Sequence, residues 1–453
     1  MVETNQRRLL YLPIETQARE LLGKGFLAAR AVERGWIVVM GDKGTTRGFM
    51  REHPPGIFVE ISIPDKKAAR LEEIHKAGNR IVNLCEEGIL YTDARDYCAR
   101  KMGTGAFQWT DRLLLPGERN ASDLRTYFPE SSEKIAITGN PRFDVLTPRL
   151  RCVYEAKAAA IRRKLGSFLL VNTAFGRANP LRIGENAADT LIARGTIKEG
   201  RDADFIRRQI QFKRRQMRGL QSLLEELSKS GAVEKIVLRP HPVENHDVWR
   251  DWAKGTNIEV CYEGSAIEWI LAADAVLHPG CTTGVEALLL DRPVFSYVPE
   301  PDSEFVNQTD RVSELISSAG ELVSGLARLS NLAPDDLHKA LASQRATLRS
   351  YLANIDPPLA ADRILDELDR LDVPTASMAE IGTRQSAMSQ WAAPLRSLRA
   401  RLSNRPSAGR KRQKFPAIDD DQIRAPLQLW TEAGILSQVP QITRLGDRLW
   451  GLH

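Results

Sequence analysis

Nowhere in its 453 residues does this sequence hold a run of about 18 apolar residues, so no membrane-spanning helix is expected. The N-terminus, Met1 to Arg8, is polar and leads straight into Leu9-Leu10-Tyr11-Leu12. It lacks the apolar core and small-residue cleavage site of a signal peptide, and a cytoplasmic location is the expectation. The five cysteines (Cys85, Cys98, Cys152, Cys261 and Cys281) are scattered, odd in number and never in a C-x-x-C pair. That spacing argues against a disulfide framework and against structural zinc. The seven histidines show no H-E-x-x-H or similar ligand spacing, so no resident metal is expected. The order of a P-loop is missing as well: Lys43-Gly44-Thr45-Thr46-Arg47-Gly48 follows a strand-like run but is not G-x-x-x-x-G-K-[ST]. Acceptor binding and a merely flexible loop are comparable readings of it.

Acidic residues are missing over one long stretch. Between Gly382 and Ile418 there are none, against nine bases: Arg384, Arg396, Arg399, Arg401, Arg405, Arg410, Lys411, Arg412 and Lys414. Taking those nine from the formal net charge of +6 leaves −3 for the rest of the chain. The basic character is a local property of the tail, and the body offers no basic face for a nucleic-acid polymer.

What is present reads as an α/β protein. The length exceeds one core and suits two domains plus extras. In the first third, short β-rich runs at Arg8–Leu12, Trp36–Met40, Gly56–Ile61, Arg80–Leu84, Arg112–Leu115 and Lys134–Ile137 alternate with helical patterns. Ala18, Leu21, Leu22, Phe26, Ala29 and Val32 recur at helical spacing and predict a right-handed crossover between the first two strands. A second series starts at Ser167–Asn172 and continues with Lys235–Leu238, Ile258–Val260, Ala275–Leu277 and Val294–Tyr297. The charged helical segment 203–230 reads as an insertion after the first of these strands. Asp362 to Leu371 looks like a closing helix. The expected domains are 1–150 and 151–373, both Rossmann-like, and 374–453, a basic linker with helices at Leu427–Leu436 and Ile442–Leu449.

In parallel-sheet folds ligands bind beyond the carboxyl ends of the strands. Four motifs stand there. Arg239-Pro240-His241-Pro242 puts a guanidinium and an imidazole on a proline-stiffened loop, a pair suited to phosphate; a surface loop with a capping histidine is the plainer alternative. His278-Pro279-Gly280-Cys281-Thr282-Thr283-Gly284-Val285-Glu286 reads as strand, glycine turn and helix start, where exposed N–H groups and hydroxyls suit a phosphate. Glu286 would face ribose hydroxyls, or close a capping box with Thr283. His278 is either a further ligand or a satisfied buried histidine. Glu86-Glu87-Gly88 offers adjacent carboxylates for general-base or nucleophilic work, or a solvated turn. Glu15, ending the first strand, is a second acid candidate or a favourable charge at a helix start.

Glu86-Glu87-Gly88, His241-Pro242 and Thr282-Thr283 resemble, in the same order, the acidic-acidic-Gly, His-Pro and Ser/Thr-pair motifs of the bacterial sialyltransferases and capsular Kdo transferases of GT-B architecture. Tyr11-Leu12-Pro13-Ile14-Glu15, Thr138-Gly139-Asn140-Pro141-Arg142-Phe143-Asp144 and Val171-Asn172-Thr173-Ala174-Phe175-Gly176 further resemble the bacterial surface carbohydrate biosynthesis protein family. The resemblance implies two Rossmann-like parallel-sheet domains facing a cleft. It implies Glu87 as catalytic carboxylate, with the His-Pro histidine and the hydroxyl pair on the phosphate of a CMP-linked donor. The Kdo enzymes usually carry Asp where Glu87 stands.

The resulting expectation is a glycosyltransferase of surface polysaccharide biosynthesis, moving an ulosonic acid such as Kdo from a CMP-sugar to a glycan or lipid-linked glycan. A CMP-sugar has no diphosphate for a metal to bridge, so no cofactor is expected. Arg239, His241, Thr282 and Thr283, with His278, Gly280 and Cys281 beside them, would stabilise the departing phosphate. The rivals are a UDP-sugar 2-epimerase, a teichoic-acid-type polyol-phosphate transferase and a nucleotide-sugar sensor without turnover. In the tail, Trp391, Leu395, Leu398 and Leu402 fall near one helical face beside Arg396, Arg399 and Arg405. Peripheral contact of 384–414 with the inner membrane and a solvated linker are both open readings.

Overall fold

The computed structural model describes residues 6–86, 88, 91, 94–180, 189, 192–193, 200–329, 331–382, 415–416 and 418–453. The chain forms two compact units, one of Met1–Ile89, Asp93–Val153 and Arg349–His453, the other of Leu90–Thr92 and Tyr154–Leu348.

The first unit is built on β1 (Arg7–Ile14), β2 (Trp36–Asp42), β3 (Ile57–Glu60), β4 (Arg80–Leu84), β5 (Arg112–Leu115) and β6 (Ile135–Ile137), all parallel and ordered 2-1-3-4-5-6. Near-continuous apolar runs such as Leu9–Leu12 and Trp36–Met40 are buried throughout, as strands covered on both faces must be. Helix Gln17–Glu33 makes the predicted crossover from β1 to β2 and buries Phe26, Ala29 and Val32. The strand order reverses between β1 and β3, which makes their carboxyl ends the switch point of this sheet.

The second unit contains β7 (Leu169–Asn172), β8 (Ile236–Arg239), β9 (Ile258–Val260), β10 (Ala275–His278), β11 (Val294–Tyr297) and β12 (Glu314–Ile316). They pair in parallel in the order 9-8-7-10-11-12, the doubly-wound arrangement of a dinucleotide-binding fold. Here the reversal falls between β7 and β10. The expectation of two Rossmann-like parallel-sheet units is met.

Three expectations are corrected. The segment 203–230 is no insertion: helix Arg201–Ser230 leads from β7 to β8 and lays Leu220, Leu223, Leu224 and Leu227 into the core against Leu169, Val171 and Leu238. Lys43-Gly44-Thr45-Thr46-Arg47-Gly48 is not a loop but most of helix Lys43–Met50, capped by Asp42, whose Oδ1 accepts from Gly44 N (3.0 Å) and Thr45 N (3.1 Å).

The third correction concerns the tail expected as a separate linker with helices from 374. The described residues from Arg349 onward cluster with the first unit. Helix Ala360–Asp369 takes the place of the expected closing helix, and Arg30 and Arg34 pair with its Asp362, Asp366 and Asp369. β13 (Thr375–Ala376) pairs with the start of β1. Helix Asp421–Glu432 overlaps the expected Leu427–Leu436, but Ile442–Leu449 is not helical. It contributes to a hairpin, β14 (Ile442–Gly446) and β15 (Leu449–Leu452), which pairs antiparallel with β2. Ile442 lies opposite Leu452 and Arg444 opposite Trp450 across the hairpin, which shields an otherwise open edge of β2. Residues 384–414, with the amphipathic pattern around Trp391, lie outside the described residues. Among the described residues no helix is long and apolar enough to cross a membrane.

Candidate functional site in the second unit

The carboxyl ends of β7, β8 and β10 bring the Arg-Pro-His-Pro loop and the Gly-Cys-Thr-Thr loop to the switch point of the second sheet. Glu244 organises the first of them. It is fully buried, and its Oε1 accepts from Thr173 Oγ1 (2.7 Å), Phe175 N (2.8 Å) and His241 N (3.3 Å), while Oε2 accepts from Trp249 Nε1 (2.8 Å). One carboxylate thus ties the loop after β7 to the loop after β8, and charge-assisted bonds of this kind are the stronger ones.

His241 lies at the exposed tip of that loop. Its Nδ1 accepts from Val243 N at 3.3 Å, which assigns the ring proton to Nε2 in the neutral form. Partial desolvation by the surrounding loops, with a contribution from His246, lowers its pKa against the pull of Glu244. Nε2–H has no acceptor among the described residues, and a neutral histidine of this kind is suited to an anionic oxygen.

Arg239, expected on the phosphate, is placed elsewhere. It is buried, NH1 and NH2 donate to Glu263 O (2.6 Å) and Gly264 O (3.2 Å), and the guanidinium stacks 5.6 Å from the Tyr262 ring and 5.1 Å from Trp269. Its fork is committed to backbone carbonyls, so it shapes the turn after β9. Tyr262 and Trp269 also line a cavity of about 460 Å³ with His246, Arg250, Glu259 and Lys164, a volume within the range of small-molecule sites. His246 joins this cavity to the His241 loop: its ring lies 4.9 Å from Tyr262, and its Nε2 contacts His241 O at 3.1 Å.

His278 is corrected in the same way. It is fully buried, its Nδ1 accepts from Gly280 N (3.0 Å) and Cys281 N (3.2 Å), and Nε2 meets Ser313 Oγ at 2.9 Å. Burial, and Lys213 nearby, hold its pKa down at about 3. It is the satisfied buried histidine, a template that bends the loop. Gly280 needs its left-handed φ of +82°, and a Cβ there would stand 2.5 Å from Asn307 Nδ2, which donates to Gly280 O. Asn307 and Asp310 form a capping box, and Asp310 accepts from Ser296 Oγ at 2.6 Å, so the end of β11 braces the same turn.

Thr282 is exposed and Thr283 half-buried at the start of helix Thr283–Leu289. No side chain caps this helix, so the capping box considered for Thr283 and Glu286 is not formed. Glu286 is buried in the first turn and makes interactions of its own. Burial pushes the Cys281 thiol up despite hydrogen bonds with Thr283, so it is a neutral wall rather than a nucleophile.

Lys213 was missed by sequence reasoning. It projects from the long crossover helix, and Nζ donates to Pro279 O and Gln216 Oε1, both at 2.7 Å. Two of its three N–H donors are satisfied, and the third has no acceptor among the described residues. Burial lowers its pKa to about 8, with Asp310, Cys281 and Glu244 opposing. No local signal marks it: one lysine on a charged helix acquires meaning only when the helix docks.

In the first unit, Glu86 is buried and engaged. Its Oε1 pairs with Lys24 Nζ (3.4 Å) and its Oε2 accepts from Asn140 Nδ2 (3.1 Å). That removes it as a catalytic acid. Glu87, the carboxylate implied by the resemblance, lies outside the described residues. Glu15 pairs with Lys43 Nζ at 3.1 Å, while the amides of Glu15 and Thr16 are taken by the buried Glu20. Asp144, last residue of the Gly-Asn-Pro-Arg-Phe-Asp run, is structural. It accepts from Ala360 N (2.9 Å), Ala361 N (2.8 Å) and Asn354 Nδ2 (2.6 Å), capping helix Ala360–Asp369.

No protein-family model matches the chain, and no curated protein matches it. Among solved structures, it is similar to the UDP-GlcNAc 2-epimerase of Methanocaldococcus jannaschii in complex with UDP-GlcNAc and UDP, at 12% identity and a TM-score of 0.48, over 80% of this chain and 99% of the other. The wall teichoic acid polymerase TagF gives 12% and 0.49 over 80% of this chain and 88% of its own. A putative UDP-N-acetylglucosamine 2-epimerase from Listeria monocytogenes gives 14% and 0.48 over 81% and 97%. At these identities and scores the likeness assigns no activity to this chain.

Proposed function

We propose that this chain is a nucleotide-sugar-dependent glycosyltransferase that moves a CMP-linked ulosonic acid to a bacterial surface polysaccharide, with the donor phosphate held in the second unit. The observation that carries the reading is His241: a histidine at a strand end whose Nδ1 is occupied by Val243 N, leaving Nε2–H to donate outward. Thr282, exposed on the Gly-Cys-Thr-Thr loop, and Lys213, whose Nζ reaches that loop from the crossover helix, add donors at the same switch point. Charge that develops on a departing nucleotide phosphate is stabilised by such fixed donors. Glu87 is the proposed carboxylate, by the motif Glu86-Glu87-Gly88 alone.

Thermal-shift titration with CMP, UDP, GDP and CDP tests the donor. A CMP-selective response that falls about tenfold or more in His241→Ala, and also in Lys213→Met, supports the reading. A response indifferent to His241 overturns it. In a coupled assay, Glu87→Gln should abolish transfer while CMP binding persists. Turnover of a UDP-sugar without acceptor identifies an epimerase instead, and a polyol-phosphate product identifies the teichoic-acid-type reaction.

A further inference from the structure

The first unit has its own switch point, at the carboxyl ends of β1 and β3, and charged side chains gather there. Glu60, the last residue of β3, is buried with both oxygens engaged: Oε1 accepts from Lys67 Nζ and Oε2 from Arg70 NH2, at 2.9 and 2.8 Å. Lys43 Nζ lies 3.1 Å from Glu15 and 4.0 Å from Glu60. Arg51 pairs with Glu73 at 2.9 Å, and the Asp42 carboxylate caps its helix. Among the described residues the cations Lys43, Arg47, Lys67 and Arg70 therefore share the carboxylates Glu15, Asp42 and Glu60.

The cation left over is Arg47. It is half-buried on helix Lys43–Met50, and among the described residues it has no ion pair and no hydrogen bond. Burial, with Arg70 and Arg51 nearby, disfavours its charge, against the attraction of Glu60 and Asp42. A half-buried guanidinium with no ion pair among the described residues, set among like charges, is a ready partner for an anion. Its planar fork matches a phosphate or a carboxylate.

We infer that Arg47, with Lys43 beside it at the β1/β3 switch point, forms an anion subsite that takes the phosphate or carboxylate of an acidic acceptor. Only the word acceptor rests on the transferase reading; the anion site stands or falls by itself.

Equilibrium dialysis of the full chain with radiolabelled inorganic phosphate, and separately with acetate, is the test. Phosphate should occupy two classes of site, one lost in His241→Ala and the other in Arg47→Gln, with affinity at the latter falling about tenfold or more. Arg47→Lys should keep binding within about tenfold of the parent, since the charge remains. Tighter phosphate than acetate at the Arg47 site points to a phosphorylated acceptor, and the reverse to a carboxylated sugar. An Arg47→Gln protein that binds phosphate as the parent does overturns the subsite. So does a folded Arg47→Lys protein as weak as Arg47→Gln. If only His241→Ala leaves binding unchanged, the donor grip fails and this subsite stands.

Discussion

His278 and His241 show how environment divides the work of one residue type. His278 is the last residue of β10 and His241 lies two residues beyond β8, yet His278 is sealed behind the Gly-Cys-Thr-Thr loop while His241 stands at the tip of its own. The native pKa of His278, about 3, lies below that of the unfolded chain, so the unfolded state takes up a proton that the folded state refuses. Its contribution to stability is complete above about pH 6.5 and is lost as pH falls towards 3. His278→Asn keeps an acceptor, Oδ1, for the amides of Gly280 and Cys281 but cannot titrate. Urea unfolding between pH 6.5 and 4.5 should show the parent losing on the order of 1.4 kcal/mol per pH unit more than the variant. Parallel pH profiles would show that His278 is not held neutral.

At the scale of elements, close approach decides what a helix can carry. Helix Gln17–Glu33 holds Gly23 and Gly25 two residues apart. A Cβ on Gly23 would lie 2.7 Å from Arg142 N and Pro141 O, backbone atoms of the helix Pro141–Asp144 that packs on it. A Cβ on Gly25 meets nothing within 4 Å. Gly23→Ala should therefore destabilise by about 1–3 kcal/mol, and Gly25→Ala should stabilise by about 0.5–1 kcal/mol, as read by urea midpoints. Equal effects of the two would show that the contact with Pro141–Asp144 is loose. The same contact explains the Gly-Asn-Pro-Arg-Phe-Asp run. Asn140 caps its own helix and holds Glu86, and Asp144 caps the helix Ala360–Asp369, far along the chain. The motif was legible in the sequence, but its purpose was not, because the partners of Asp144 are more than two hundred residues away and Glu86 is 54 from Asn140.

For the whole molecule, the return of the C-terminal segment to the first unit is the main departure from the sequence expectation. Trp430 is fully buried, edge-on to Phe26 at 5.2 Å, and its Nε1 donates to Leu150 O at 2.9 Å. Trp450 is fully buried on β15, and its Nε1 donates to Asp420 Oδ1 at 2.7 Å. Trp430→Ala and Trp450→Ala should each cost about 3–5 kcal/mol in chemical unfolding, where a free-standing tail would give changes within about 0.5 kcal/mol. Truncation after Val373 should lower the stability of the first unit and leave the second unit's transition in place.

The sequence by itself determined the strands of both parallel sheets up to β11, and the loops that carry His241 and Thr282. Period, apolar runs and strand-end punctuation are local properties, written within a few residues of where they act. Which side chains in those loops face a ligand was decided only by the tertiary structure. Arg239, His278 and Glu86 have the chemistry of a site, yet each is committed to a carbonyl, an amide or an ammonium supplied from elsewhere. Lys213 carries no motif and Arg47 stood in a segment whose reading was open, and packing sets their charges at the two switch points. Donor and acceptor groups act through contacts a few ångströms long, and such contacts form between residues that sequence distance does not relate.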